Sequence, residues 1–171
     1  MLSTRTTPRI LLAVAGVLFV AGCGGDDPTA PEVLAPDFPA LGADFATQFC
    51  IRGTLAPDNT VSGELTTDDC ETVSPVGSGP GSYFEGWRVR VGQTGSVTIQ
   101  TGSGYDTFVD LFRIDDLGAP DLENLIIFDD DSGPGDNGRF TITLQVDTEY
   151  WVMVSGFDAI DVGPYTLDAR Y

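Results

Sequence analysis

The 171-residue chain contains no histidine and no lysine. Without an imidazole it can run neither Ser-His-Asp nor Cys-His chemistry, and it cannot build a histidine-ligated zinc site. Positive charge is confined to eight arginines, set against 26 aspartates and glutamates for a formal charge of −18. A surface of that sign repels nucleic acid and anionic headgroups, so nucleic acid is excluded as a partner. Cysteine is scarce, at three residues. Long apolar runs are scarcer still: the one at Ile10–Val20 ("ILLAVAGVLFV") is too short to span a bilayer as a stable helix. No stretch carries the 3.6-residue period of an amphipathic helix, which removes helical bundles from consideration.

What is present near the start has a clear order. Arg5 and Arg9 precede the apolar run, and the run ends in Val20-Ala21-Gly22-Cys23 ("VAGC"); no acid stands before Asp26. A charged head, a short apolar body and small residues at its end form an export signal. "VAGC" resembles the bacterial lipobox, which implies a signal peptide over 1–22 and a diacylglycerol-modified Cys23 as the first mature residue. The competing reading is an ordinary secretory signal that leaves Cys23 a free thiol. With two or more acyl chains the protein stays on the membrane, where one chain alone binds only marginally. The expected location is therefore the periplasmic or cell-surface face of a bacterial membrane.

With Arg5 and Arg9 removed, six arginines face 26 acids, a formal charge of about −20. Cys50 and Cys70 remain as an even pair in an exported chain, and a disulfide is the expectation. A metal-binding or catalytic thiol pair is the rival, without a CxxC spacing to support it. Residues 23–45, beginning "CGGDDPTAPEVLAPDFPALGA", lack any period and read as a lipidated cysteine followed by a flexible acidic, Pro- and Gly-rich tether. The alternative is an arm in which Val33-Leu34 or Phe38 packs on the domain.

Residues 46–171 read as one domain of short strands. "TVSGELT" sets Val61, Gly63 and Leu65 on one face. "GWRVRV" sets Trp87, Val89 and Val91 inward, with Arg88 and Arg90 outward. "GSVTIQT", "DTFVDLFRI", "NLIIF", "RFTITLQV", "EYWVMVSGF" and "GPYTLDARY" follow, separated by Gly, Asp, Asn and Pro. The spacing predicts an all-β fold, an antiparallel β-sandwich of about eight strands.

"GTLAPDNTVSGELT", "WRVRVGQTGSVTIQ", "YDTFVDLFRIDD", "IIFDDDSGPGDNGRFTITLQVDTEYWVMVSGF" and "GPYTLDARY" occur in that order over Arg52–Tyr171. The series resembles the bacterial pre-peptidase C-terminal (PPC) domain. That resemblance implies a jelly-roll-like sandwich and an accessory or binding module, some relatives binding collagen, carbohydrate or calcium. It does not imply catalysis.

Two groups of residues are candidates for binding. "FDDDSGPGDNGRF", Phe128–Phe140, crowds acids and glycines together. If it holds a cation, the cation is Ca²⁺, which takes about six to eight oxygens, and Asp129, Asp131, Asp136 and Asn137 are the ligands. Asp106 either shares that ion or caps neighbouring backbone N–H groups. The spacing departs from an EF-hand, with Gly133 where a third acid belongs, and Ser-Gly-Pro-Gly and Asp-Asn-Gly are turn signals, so the bland reading is a strand connection. The second group is aromatic. Trp151 and Met153 lie opposite Tyr150, Val152 and Val154, while Phe108 and Phe112 lie opposite Val109 and Leu111. Exposed, the first four would form an apolar platform for a sugar ring or a protein; covered, they are core.

The expected function is a non-catalytic, lipid-anchored envelope module that binds an extracellular polysaccharide or protein. The alternatives are a purely structural envelope lipoprotein and a hydrolase using two carboxylates.

Overall fold

A computed structural model describes residues 49–72, 81–114 and 124–171. The expected signal peptide, Cys23 and the expected tether lie outside the described residues. Among the described residues ten strands are formed: β1 (Ile51–Leu55), β2 (Asn59–Leu65), β3 (Cys70–Glu71), β4 (Tyr83–Arg90), β5 (Gly95–Ser103), β6 (Thr107–Arg113), β7 (Leu125–Asp129), β8 (Arg139–Leu144), β9 (Glu149–Gly156) and β10 (Gly163–Arg170). One sheet runs β1-β4-β9-β6-β7, with β3 also against β4; the other runs β2-β10-β5-β8. All pairings between strands are antiparallel except β1 with β4. The expected sandwich is present. Its two additional strands, β1 and β3, are too short to show an alternation of their own.

The period-two residues meet where alternation puts them. Trp87, Val89 and Val91, Val109 and Leu111, and Tyr150, Val152 and Val154 face Leu65, Val97, Ile99, Leu144, Tyr165 and Leu167 from the opposite sheet. Each fully buried Val or Leu contributes roughly 1.5–3 kcal/mol, so this layer is the main stabilising term. The loops use aspartate for backbone shape. Asp58, Asp136 and Asp147 hold φ of 61°, 57° and 61°, a left-handed conformation that Asp tolerates better than most side chains. Part of the acidic content thus serves turn geometry.

The Cys50–Cys70 disulfide is formed, with Cα atoms 5.9 Å apart. It ties the start of β1 to β3 across a sequence separation of 20, a closure worth about 3 kcal/mol in the chain-entropy model.

Of the two readings of the aromatic group, the structure shows the covered one. β6 is buried from Thr107 to Phe112 and β9 from Tyr150 to Gly156, on both faces. Phe112, Trp151 and Met153 form a second cluster, packed with Phe49, Ile51, Phe84, Ile114 and Leu125. Trp151 meets Phe49 and Phe84 edge-on with centroids 5.9 Å apart, and Phe108 stacks on Phe128 at 5.5 Å. Phe108, Phe112, Trp151 and Met153 are therefore covered and do not form a solvent-facing platform. Arg88, placed outward by alternation, is likewise buried, its Nη2 2.5 Å from Glu149. Alternation distinguishes two faces, but it does not reveal that both are covered.

Candidate functional site

The described residues form a cleft of about 380 Å³ at the side of the sandwich where β1 and β2 are the last strands of their sheets. Arg52 comes from β1, Glu85 and Trp87 from β4, and Ser62, Gly63, Glu64 and Thr66 from β2 and the turn after it. Glu85 occupies an inward position of β4, two residues before Trp87, so alternation carries a carboxylate between the sheets. It is 2% exposed.

A carboxylate there must be fully partnered, because an unsatisfied buried charge costs several kcal/mol. The partners come from both sheets. Trp87 Nε1 donates to Tyr165 Oη at 2.7 Å, and Tyr165 Oη donates to Glu85 Oε2 at 2.7 Å. Arg52 Nε lies 2.7 Å from Glu85 Oε1, and Arg52 Nη2 also pairs with Asp69. Asp69 in turn accepts from the Thr66 backbone N–H at 2.7 Å and the Thr66 hydroxyl at 2.9 Å. Indole, phenol, carboxylate and guanidinium thus form one chain that begins in the core and reaches the cleft at Arg52, with Asp69 behind the guanidinium.

Gly63 makes the chain fit. It is the cross-strand partner of Tyr165, and a Cβ at position 63 would stand 2.5 Å from Glu85 Oε2 and closer still to the phenol. A glycine inside a strand marks such a close approach. Burial pushes the Glu85 carboxyl above its usual range, against the opposing effect of the Tyr165 hydrogen bond and the Arg52 charge. Burial also raises the Tyr165 phenol, so it remains a neutral donor. Arg52 pairs with two carboxylates at once.

The acidic stretch Phe128–Phe140 is organised by its own turns. Asp129 Oδ1 accepts from the backbone N–H groups of Ser132 and Arg139, both at 2.8 Å, and Oδ2 accepts from the Ser132 hydroxyl at 2.6 Å. Burial acts to raise its pKa, but these three hydrogen bonds outweigh it and hold the carboxyl below its ordinary value. Asn137, almost wholly buried, accepts from Ser103 and Thr107 hydroxyls at 2.9 Å and donates to the carbonyls of Pro134 and Gly135 at 2.8 Å. Asp131 and Asp136 are exposed. Asp106 carries a buried Oδ1 with no hydrogen-bond partner, and its pKa is raised by burial and then by Asp131, Asp161, Asp136 and Asp130. Among the described residues, no group of three or more acidic or thiol side chains is placed to hold a metal ion.

The cleft was not among the expected sites. Its sequence signals are faint: an inward glutamate in "YFEGW" and a glycine at an inward position of "TVSGEL".

No family model matches the chain, and no curated protein matches it. Solved structures do. The pre-peptidase C-terminal domain of a Bacillus anthracis collagenase is 13% identical, covers 69% of this chain and 94% of its own, and superposes with a TM-score of 0.47. PliG of Aeromonas hydrophila, a periplasmic inhibitor of g-type lysozyme, is 16% identical over 70% of this chain and 96% of its own, at 0.43. CorA of Methylomicrobium album BG8, a surface-associated copper-binding protein, is 12% identical over 70% and 98%, at 0.41. At these values the likeness adds nothing to the architecture that the strands themselves display.

Proposed function

We propose that the protein is a non-catalytic binding module, anchored to a bacterial envelope membrane through a lipid on Cys23. It takes its ligand, an extracellular polysaccharide or protein, in the cleft between β1 and β2. The observation that carries this reading is the cleft itself, where a buried hydrogen-bonded chain ends in Arg52 at a solvent-facing opening. The disulfide supports an oxidising, exported location. The absence of histidine and the commitment of Glu85 and Asp69 to Arg52 support binding over catalysis.

Anchoring is tested by Cys23→Ser. The expected outcome is a precursor that is uncleaved or released from the membrane fraction, checked by intact-mass analysis and fractionation. An unmodified Cys23 in membrane-bound parent protein contradicts it.

Calcium is treated as a separate question. With Asp129 and Asn137 committed to turns, the expected effect of millimolar Ca²⁺ on stability is screening of the acidic surface. NaCl at equal ionic strength should then reproduce it, and Asp131→Asn should leave it unchanged. A true site would instead add RT ln(1 + [Ca²⁺]/Kd), about 2.7 kcal/mol at a hundred times Kd, and would be weakened by Asp131→Asn. Thermal melts in the two salts decide between them.

A further inference from the structure

The cleft lies beside a free strand edge. Among the described residues β2 has one neighbour, β10, and the opposite side of β2 carries no strand. In an antiparallel pair every second residue turns its N–H and C=O away from its partner. Every second residue of β2, "NTVSGEL", therefore turns its backbone N–H and C=O toward the side on which the cleft opens, where no strand lies among the described residues. Protein edges are ordinarily blunted by charged side chains, lysine above all, by proline or by a bulge. β1 fits that rule, with Arg52 and a register shift between Ile51 and Gly53. β2 has no proline, no basic residue and no register shift against β10, and its one charge is Glu64.

We propose that β2 is a strand-addition site: an extended segment of a partner protein pairs with its free edge and places a basic side chain, Lys or Arg, in the cleft. This rests on the binding reading above and names its occupant. Backbone hydrogen bonds along β2 supply affinity, and the cleft, reached by a side chain on one face of the added strand, supplies specificity. The charge of the cleft selects the side chain. Glu64 and Glu85 line it, Asp69 stands behind it, and Arg52 is the one cation, already shared between two of these acids. A cationic group is attracted, and an acidic one is repelled. The protein has no lysine and a net charge of −18, so its long-range field steers basic partners in the same direction.

The test uses the full lipidated chain in nanodiscs, selecting from a displayed random library of about seven residues, a typical strand length. The recovered peptides should alternate β-forming residues and carry Lys or Arg at one fixed position. Replacing that residue by Glu should weaken binding about ten-fold or more. N-methylation of alternate amides should abolish binding in one register and spare it in the other. Bound peptide should slow amide exchange along β2 and not along β8. Glu64→Lys should weaken the basic peptide about ten-fold and strengthen its acidic counterpart. The proposal is overturned if no peptide is enriched, if both N-methylated registers bind like the parent, or if β2 exchange is unchanged. If peptides fail while neutral polysaccharide fragments shift the amide resonances of Ser62, Glu64 and Thr66, the cleft is a binding site and strand addition is wrong. If neither binds there, the functional reading falls as well.

Discussion

Asp110→Asn should stabilise the protein at pH 8 and hardly change it at pH 4. Asp110 lies on the outer face of β6, between Phe108 and Phe112 on its own strand and opposite Phe128 and Met153 on the neighbouring strands. It is fully buried, and neither carboxylate oxygen has a hydrogen-bond partner. Burial raises its pKa from 3.8 to about 8. Below pH 4 the group is protonated in both the folded and unfolded chain and does not discriminate between them. As pH rises from about 4 to 8 the unfolded chain loses this proton while the folded chain keeps it, so stability falls throughout that window and levels off above it. At 1.36 kcal/mol per unit the full shift corresponds to an upper limit of about 6 kcal/mol. Asparagine cannot ionise and removes the slope. Denaturant titrations of both proteins at pH 4, 6 and 8 measure it, and parallel curves would mean that Asp110 is charged and partnered in the folded state.

Gly63→Ala should have the second largest effect, a loss of about 3 kcal/mol or more. The new Cβ would fall 2.5 Å from Glu85 Oε2 and against the Tyr165 phenol, so the clash is with the hydrogen bond that crosses the sandwich. Overpacking costs about 1–3 kcal/mol, and weakening the support of a buried carboxylate adds to it. Across a domain of this size that lowers Tm by roughly 10–15 °C. Tyr165→Phe alone leaves Trp87 Nε1 and Glu85 Oε2 without their partner. Because alanine and phenylalanine disturb the same bond, the double variant should lose clearly less than the sum of the two. Additive losses would show that Gly63 acts through something other than this network.

These two positions also mark where the sequence is transparent and where it is opaque. The inner faces of β4, β5, β6, β9 and β10 are legible because period two is enforced by one shared core. The outer face of β6 and β9 is opaque for the same reason. When both faces are covered, alternation carries no contrast, and Trp151, Met153, Phe108 and Phe112 look like a platform when they are packing. The acidic stretch shows its glycines and asparagine as turn signals, and the hydrogen bonds of Asp129 and Asn137 follow that chemistry. The cleft is hidden because its parts are scattered. Arg52, Gly63, Glu85 and Tyr165 lie on four strands and meet only when the two sheets close. An inward glutamate and a strand glycine are each unremarkable alone.

The central claim is that the cleft between β1 and β2 is the face that binds. Amide hydrogen exchange of the full chain, with and without isolated envelope material from the cell that exports it, tests this most directly. The predicted result is protection confined to Arg52, Ser62–Thr66 and Glu85–Trp87, lost at high salt in proportion to the charges at the mouth. Protection centred on Asp129–Arg139, or none in any segment, would contradict it.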